Sequence, residues 1–249
     1  MFMTITLRDL SFAHPRRPPL FTDLSLDVPT GRSVLLGPNG AGKSTLLALI
    51  ADALRPRSGT ITVGPVGSAS TKGNRRRFRQ TISWLPQQSV AMPGLSVREH
   101  VAYSGWLKGL TRADAWDRAE GALSAVDLGT RADQRASTLS GGQMRRLGVA
   151  SALVSGASWL LLDEPTAGLD PAQRNRFAQV VQGLPDHVSV LISTHQTDDV
   201  VATIEHVTVL VDGRVPFTGT VADFTRPFDG RDPAAAVVAA YTQFADGED

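Results

Sequence analysis

The sequence GPNGAGKST at residues 37–45 decides the fold of this chain. It fits the phosphate-loop pattern G-x-x-x-x-G-K-[ST], and it lies between an apolar stretch at 33–36 and a segment at 43–54 whose leucines have helical spacing. A glycine-rich turn between a strand and a helix lets backbone N–H groups converge on phosphate oxygens at the positive end of the helix. The pattern therefore predicts an α/β fold with a nucleotide site at this turn.

The residue types of this loop suit the chemistry of a bound nucleotide. Lys43 would bring a full positive charge to the β- and γ-phosphates, and the hydroxyl of Ser44 would be a ligand of Mg²⁺. A glycine turn that arose by chance is the alternative, and the number of matching positions in the right context argues against it. The predicted nucleotide-binding residues of the loop are Gly37, Pro38, Asn39, Gly40, Ala41, Gly42, Lys43, Ser44 and Thr45.

A second motif, WLLLDE at residues 159–164, combines an apolar strand with two acids at its end. Ligands bind at the carboxyl ends of the strands in such sheets. Asp163 is suited to hold Mg²⁺, and Glu164 can accept a proton from the water that attacks the γ-phosphate. The alternative is that both acids only cap the following turn, and the phosphate loop makes this the weaker interpretation.

The sequence LSGGQ, just before another helical segment, indicates a second anion site. Its residues are Leu139, Ser140, Gly141, Gly142 and Gln143. By itself, Ser-Gly-Gly before a helix is a good N-cap with a flexible backbone. The same residues expose backbone N–H groups and a hydroxyl at a helix start, which is anion-binding chemistry. One phosphate loop and a separate helix start of this kind indicate two chains that share each nucleotide.

Composition and charge exclude several other classes of protein. The 249 residues carry a formal net charge of +1 and no cysteine, so they offer neither a disulfide framework nor a thiolate metal site. The net charge is too small to attract nucleic acid by long-range electrostatics. The histidines lack the spacing of metal ligands. We expect no signal peptide and no membrane span, because no apolar stretch approaches the length that a span needs. If the protein acts at a membrane, another chain must cross it.

Alternation and apolar runs predict the remaining elements. Apolar and polar residues alternate in segments 4–10 and 24–28, which predicts half-buried antiparallel strands. Segments 159–162 and 188–193 are apolar runs, which predicts buried parallel strands. The pattern at 96–152 is helical, and Ser96 and Ser140 are the predicted N-caps. Further predicted elements are strands at 59–64, 81–85, 207–211 and 214–218 and helices at 171–184 and 232–244.

The segment KGNRRRFR at residues 72–79 is the densest basic patch of the sequence. We interpret it as a solvated loop, which is the usual setting of a charge run. Contact with lipid headgroups or with a partner is the alternative.

In this order, GPNGAGKST, LSGGQ, WLLLDEPTAGLD and a histidine after a strand resemble the ATP-binding cassette (ABC) family, over roughly residues 4–225. The LSGGQ pentapeptide is highly specific to that family. The resemblance implies one ATPase domain over 1–249, with a P-loop NTPase core and an antiparallel β subdomain at 1–87 and 153–225, a helical insert at about 88–152 and a short C-terminal helix at about 226–249. It also implies that two such domains sandwich two ATP molecules head to tail, each bound by the phosphate loop of one chain and the LSGGQ of the other, with Mg²⁺.

The resemblance assigns roles to three further residues. Gln87 resembles the glutamine that contacts Mg²⁺ and senses the membrane partner, and Gln88 is the alternative. Asp170 resembles the aspartate of the loop that crosses to the opposite subunit. His195 resembles the switch histidine that contacts the γ-phosphate and holds the catalytic geometry, with a core or helix-capping histidine as the alternative. The predicted catalytic residues are thus Lys43, Glu164 and His195, and the predicted metal ligands are Ser44, Gln87 and Asp163.

One position departs from the pattern of the family. Its members commonly stack adenine on an aromatic residue, often tyrosine, just after the first strand, and by distance from the phosphate loop that position is His14. Imidazole offers less stacking area than tyrosine, so the use of GTP stays open. Phe12 is the alternative, but its alternation phase places it on the buried side with Leu10.

We therefore expect an ATP-hydrolysing subunit of an ABC membrane transporter, peripheral on the cytoplasmic inner face of the cell membrane. Its expected partners are a second cassette, of the same or a related chain, and a separate transmembrane permease. Export is the preferred direction, because the sugar-importer branch adds a large regulatory domain that is not seen here. A cassette ATPase that acts on ribosomes or DNA is the alternative, although no nucleic-acid partner is expected. A P-loop kinase or GTPase would leave LSGGQ and His195 unexplained.

Overall fold

The structure of the chain, a computed structural model, describes residues 3–88, 90–197 and 204–245. Its strands are β1 (Ile5–Phe12), β2 (Phe21–Val28), β3 (Arg32–Leu36), β4 (Ser58–Val63), β5 (Gly67–Ser68), β6 (Ile82–Leu85), β7 (Trp159–Asp163), β8 (Ser189–Thr194), β9 (His206–Val211) and β10 (Arg214–Thr220). Its helices are α1 (Lys43–Ile50), α2 (Arg75–Thr81), α3 (Val97–Leu107), α4 (Arg112–Ala125), α5 (Gly141–Leu153), α6 (Pro171–Gln182), α7 (Val221–Thr225) and α8 (Pro233–Ala245). The C-terminal helix was predicted to about residue 249, and residues 246–249 lie outside the described ranges.

A six-stranded sheet with the order β10-β9-β3-β8-β7-β6 forms the centre of the fold. The strands from β9 to β6 are parallel to their neighbours, and β10 pairs with β9 as the predicted hairpin. Side chains of β7 alternate between two cores: Leu160 and Leu162 pack in one cluster, and Leu161 packs in the other. A strand that is covered on both faces must be apolar throughout, which confirms the prediction for β7 and β8.

A second sheet, with the order β2-β1-β4-β5, is antiparallel throughout. In β1, Ile5, Leu7 and Leu10 are fully buried, while residues between them reach solvent. This alternation confirms the predicted half-buried strands. The fold is thus α/β, with a parallel core and an antiparallel β part, as predicted.

Helices α3, α4 and α5 follow one another between β6 and β7. Ser96 is the N-cap of α3 and Ser140 is the N-cap of α5. Each forms a capping box with the residue at N3, Glu99 or Gln143. In such a box the side chain of each residue bonds the backbone N–H of the other, which satisfies two free donors of the helix start. Both predicted N-caps are confirmed.

The basic segment at 72–79 was wrongly predicted as a loop, because residues 75–81 form the helix α2. Asp52 accepts hydrogen bonds from the guanidinium groups of Arg75 and Arg79, both at 2.6 Å, and Phe78 is 1% exposed. These tertiary contacts stabilise a helix that is too short to be stable by itself. Thr81, predicted to begin a strand, is instead the last residue of α2.

Two helices are shorter than predicted. α1 ends at Ile50 instead of residue 54, because Asp52 adopts a left-handed conformation with φ of 56° and the chain turns there. α6 ends at Gln182 instead of residue 184. In the described ranges, no helix has the length and apolarity to cross a membrane.

Candidate nucleotide-binding site

The phosphate loop joins β3 to α1 and surrounds the end of the Lys43 side chain. Gly42 precedes the helix with φ of 104°, a conformation that glycine adopts without strain. A Cβ atom there would also lie 2.9 Å from the ring of Phe21. Lys43 is 5% exposed, and its Nζ donates hydrogen bonds to the carbonyl oxygens of Gly37 at 2.8 Å and Pro38 at 3.0 Å. The loop therefore holds this ammonium group next to its own backbone, where phosphate oxygens would bind.

Asp163 ends β7 beside the phosphate loop. Its Oδ1 accepts hydrogen bonds from the hydroxyl of Ser44 at 3.0 Å and from the hydroxyl of Ser193 at 2.6 Å. Ser193 pairs with Asp163 across the parallel strands β7 and β8, so the two side chains emerge at the same edge of the sheet. The fold thus brings Ser44 and Asp163, two predicted metal ligands, into direct contact.

Glu164 lies where several predicted site residues meet. Its Oε1 is 3.5 Å from Nζ of Lys43 and 3.2 Å from Nδ1 of His195, and its Oε2 accepts a hydrogen bond from Nε2 of Gln87 at 3.4 Å. The Glu164 backbone has φ of 44°, which is unfavourable for a residue with a side chain, and its N–H donates to Ser193. Strained backbone of this kind is common at functional sites, where the surrounding structure enforces it.

The electrostatics of Lys43 reflect two opposing effects. Burial lowers the pKa of Lys43, because a low-dielectric environment disfavours the charged form. The carboxylates of Glu164 and Asp163 act in the opposite direction and raise the pKa, but burial has the larger effect. A phosphate group near Lys43 would favour the ammonium form further, since it adds negative charge.

The donor set at this edge of the sheet fits Mg²⁺. This ion binds through one or two carboxylates, a hydroxyl and substrate phosphates, and it does not require a cage of acids. Ser44 and Asp163 supply such a pair, and no group of three or more His, Asp or Glu residues suited to a metal occurs in the described part of the chain. Gln87, the third predicted ligand, makes its hydrogen bond with Glu164.

A cavity of about 800 Å³ extends from this cluster towards the first strand. It is lined by His14, Arg17, Pro18, Pro19, Leu20, Asn39, Gly40, Gly42, Lys43, Ser44, Thr45, Gln87, Glu164, Ala167 and His195. His14 reaches the phosphate loop through Nε2, which lies 3.2 Å from Oγ1 of Thr45. Phe12 is 6% exposed and packs its ring against the His14 imidazole at 4.9 Å. Of the two residues predicted to stack on the adenine of the nucleotide, His14 lines the cavity and Phe12 lies in the core.

The LSGGQ segment lies elsewhere in the chain. Ser140 caps α5 together with Gln143, and none of the residues 139–143 is among those that line the cavity. A Cβ atom at Gly142 would lie 2.8 Å from Gln173 on the neighbouring helix α6. The exposed Asp170 caps α6 by accepting a hydrogen bond from the backbone of Gln173 at 2.8 Å. The predicted interface residues thus group around the starts of α5 and α6.

Three residues near the site were missed by the sequence analysis. Ser193 was counted as part of an apolar strand, and its position opposite Asp163 depends on the order and register of β7 and β8. Arg145, on α5, donates a hydrogen bond to the backbone carbonyl of Gln87. Arg17 lines the cavity close to His14. No motif marks these two arginines, and only the tertiary structure reveals them.

Comparison with known proteins identifies relatives over most of the chain. The sequence model of the family described as "ABC transporter" matches residues 21–167. The cobalt import ATP-binding protein CbiO of Rhodobacter capsulatus is 36% identical over 216 residues, which cover 86% of this chain and 77% of the relative. The daunorubicin/doxorubicin resistance ATP-binding protein DrrA of Streptomyces peucetius is 37% identical over 202 residues, which cover 80% of this chain and 60% of the relative.

The fold also matches solved structures. The dimeric structure of MJ0796, a bacterial ABC transporter cassette, superimposes with a TM-score of 0.75 at 23% sequence identity. The match covers 87% of this chain and 98% of that structure. At this identity the likeness shows a shared fold.

Proposed function

The chain belongs to the ABC transporter family, and we propose that it is the ATP-hydrolysing subunit that powers a membrane transporter through a separate permease. The observation that carries this proposal is the convergence of Lys43, Asp163, Glu164 and His195 at one edge of the parallel sheet. These groups come from three separate loops, and their arrangement suits cleavage of a terminal phosphate. CbiO, named for cobalt import, and DrrA, named for drug resistance, have nearly equal sequence identity to this chain. The comparison therefore supports transport without favouring a direction, and export stays a prediction.

The side chains of this site divide the chemistry of hydrolysis between them. The phosphate loop and Lys43 would bind the β- and γ-phosphates and stabilise the charge that develops on them. Glu164 would accept the proton of the attacking water as the water oxygen bonds to phosphorus and the bond to the leaving ADP oxygen breaks. His195 and Gln87 would orient the Glu164 carboxylate through the hydrogen bonds described above. Mg²⁺, held by Ser44 and Asp163, would neutralise charge on the phosphates.

We infer that each complete pocket requires two chains. Ser140 and Gly141 are exposed at the start of α5, a helix of 13 residues whose first N–H groups and positive end suit an anion. They do not line the cavity of their own chain, so the nucleotide they read would belong to a partner cassette. Asp170, exposed beside them, would lie in the same interface. Closure of the two cassettes around ATP, and their opening after hydrolysis, would drive the permease.

The remaining assignments follow from this proposal. The chain would act as one cassette over residues 1–249, with the helical insert at about 88–152 as the lever towards the permease. It would lie on the cytoplasmic face of the membrane, where ATP is available. His14 would contact the base of the nucleotide in place of a tyrosine.

The first experiment is a titration with a fluorescent ATP analogue. The variant Lys43→Ala should lose nucleotide binding, because Lys43 is the one buried lysine or arginine among the described residues that line the cavity. Lys72→Ala replaces an exposed lysine away from the site and should bind like the wild type. Chelation of divalent cations should abolish hydrolysis. Unchanged binding by Lys43→Ala would contradict the proposed site.

The second experiment identifies the partner. Isolation of the protein from membranes in a mild detergent should yield a hydrophobic multi-span subunit together with a cassette subunit. Isolation with RNA or DNA, and without a hydrophobic subunit, would instead support an ATPase that works on nucleic acid.

A further inference from the structure

Charge is unevenly distributed along this chain. Between Asp52 and Glu99 the sequence has no Asp or Glu, although the chain as a whole has a net charge of only +1. The basic residues of this segment are Arg55, Arg57, Lys72, Arg75, Arg76, Arg77, Arg79 and Arg98. A local excess of positive charge in a nearly neutral protein indicates an anionic partner.

The fold gathers several of these residues around one cavity. A cavity of about 390 Å³ beside α2 is lined by Arg55, Arg57 and Arg75, together with hydroxyl groups of serine and threonine. Its one acid, Asp52, has a side chain that is 11% exposed and pairs with both Arg75 and Arg79. Arg75 and Arg79 therefore neutralise the charge of the Asp52 carboxylate, and the cavity keeps an excess of guanidinium groups.

Two arginines of α2 have no side-chain partner among the residues that the structure describes. Arg76 and Arg77 are exposed, and neither side chain makes a hydrogen bond or ion pair within the ranges that the structure covers. The buried ring of Phe78 and the pairing of Arg75 with Asp52 fix α2 on the protein surface. Because the helix is fixed, Arg76 and Arg77 must present their charges to solvent.

Large apolar side chains are exposed next to this basic helix. Lys108 links the end of α3 to α2, since its Nζ donates hydrogen bonds to the carbonyl oxygens of Arg79 at 3.1 Å and Ile82 at 2.8 Å. The two preceding residues, Trp106 and Leu107, are 44% and 60% exposed. The exposed large apolar residues of the described chain are Val90, Tyr103, Trp106, Leu107, Trp116 and Val238, and all but the last lie between positions 90 and 116.

We propose that this basic–aromatic face, which comprises α2, the adjacent cavity and the end of α3 at Trp106 and Leu107, binds the anionic headgroups of a lipid bilayer. Guanidinium groups pair with phosphate oxygens, and a cluster of four to eight basic residues is typical of surfaces that bind acidic lipids. Trp and Leu side chains suit the boundary between headgroups and acyl chains. The charges are spread over residues 55–57 and 75–79, and an extended anionic surface matches this better than one acidic peptide. The inference builds on the proposed membrane role, but the binding itself requires neither ATP nor a permease.

The test is flotation of the purified full chain with lipid vesicles. The wild type should bind vesicles that contain phosphatidylglycerol, fail to bind vesicles of phosphatidylcholine alone, and dissociate as salt is raised. The double variant Arg76→Ser/Arg77→Ser should bind the anionic vesicles roughly thirtyfold more weakly, at about 1 kcal/mol for each lost cation. The control Arg16→Ser/Arg214→Ser removes two exposed arginines outside this face, and it should bind like the wild type.

The outcomes separate this inference from the proposed function. Equal binding by the two double variants, or failure of the wild type to bind anionic vesicles, would overturn the lipid-binding face. ATP hydrolysis in solution should be unchanged in Arg76→Ser/Arg77→Ser, since neither residue contacts the nucleotide site. If the wild type hydrolysed no ATP but still bound anionic vesicles, the proposed ATPase would fail and the lipid-binding face would stand.

Discussion

Glu164 has a carboxylate whose neighbours are all polar and come from separate loops. Lys43, His195 and Gln87 lie within 3.5 Å of it, and its backbone adopts a conformation that only the surrounding structure can enforce. These three contacts hold the carboxylate in place, where it could accept a proton from a water molecule. Replacement of this one group should therefore affect the chemical step and not the binding of nucleotide.

The variant Glu164→Gln should keep ATP binding and lose hydrolysis by about a hundredfold to ten-thousandfold, the usual contribution of a general base. The amide keeps the shape of the side chain and its contact with Gln87, but it cannot take up the proton. With ATP and Mg²⁺, the variant should accumulate as a stable dimer on size-exclusion chromatography. Hydrolysis at the wild-type rate would remove Glu164 from the proposed role.

At the scale of residues, the sequence predicted what depends on local motifs. The phosphate loop and the acidic pair lie where strand and helix periodicity places them, and the structure brings Ser44, Asp163 and Glu164 together. Ser193 was not predicted, because its contact with Asp163 arises from the register of two strands that are 30 residues apart. Contacts of this type become visible only when the strand order is known.

At the scale of elements, α5 connects the two kinds of site in one chain. Ser140 caps its N-terminus, and the proposed ligand of Ser140 is the nucleotide of the partner. One turn later, Arg145 donates a hydrogen bond to the backbone carbonyl of Gln87, and Gln87 in turn contacts Glu164. Movement of this helix by a partner nucleotide would therefore reach the Glu164 carboxylate of the same chain.

We expect Arg145→Gln to lower kcat by roughly tenfold to a hundredfold, because a hydrogen bond from a charged group contributes about 1.5–3 kcal/mol. The KM for ATP should change little, and the Hill coefficient should fall towards one. In a Gln87→Ala background the same substitution should have little further effect, since the coupling passes through Gln87. Arg145→Lys, which keeps a donor, should retain part of the cooperativity. Additive losses in the double variant would show that Arg145 acts elsewhere.

Helix α3 contains a buried histidine that should make the stability of the protein depend on pH. His100 is 8% exposed, its Nδ1 accepts a hydrogen bond from the backbone of Met92, and burial lowers its pKa below the usual value. As the pH falls, His100 in the unfolded chain takes up a proton first, at about pH 6.5, because its pKa is lower in the folded protein. The free energy of unfolding therefore has its full value above that pH and decreases as the pH falls below it. Urea unfolding should show this decline in the wild type and a shallower one in His100→Gln. Equal slopes would contradict the assignment.

The elements also show where sequence patterns fail. The predicted strands and the capping boxes at Ser96 and Ser140 are present, with element ends that differ by a few residues, because periodicity and capping are local signals. The helix α2 was not, because its run of arginines lacks helical periodicity and is stabilised by Asp52 and Phe78, which the local pattern does not reveal. Tertiary contacts decide the structure of segments as short as this one.

At the scale of the whole molecule, two chains would each contribute one part of every nucleotide pocket. The cavity around Lys43 and the exposed start of α5 belong to one polypeptide, but they would serve different nucleotides. In the proposed function, a single chain would offer two incomplete pockets, and a head-to-tail pair of chains would complete both.

The most direct test mixes two inactive variants. Lys43→Ala should abolish the phosphate-binding part of a pocket, and Ser140→Ala/Gly141→Asp should abolish the part that the partner contributes. Dimers that contain one chain of each kind would still have one intact pocket, formed by the loop of one chain and the α5 start of the other. We predict that each variant alone is inactive and that the mixture regains a fraction of the wild-type ATPase rate, which rises with protein concentration. A mixture that stays inactive while mixed dimers form, or a strictly monomeric Ser140→Ala/Gly141→Asp protein with full activity, would contradict the shared-pocket account.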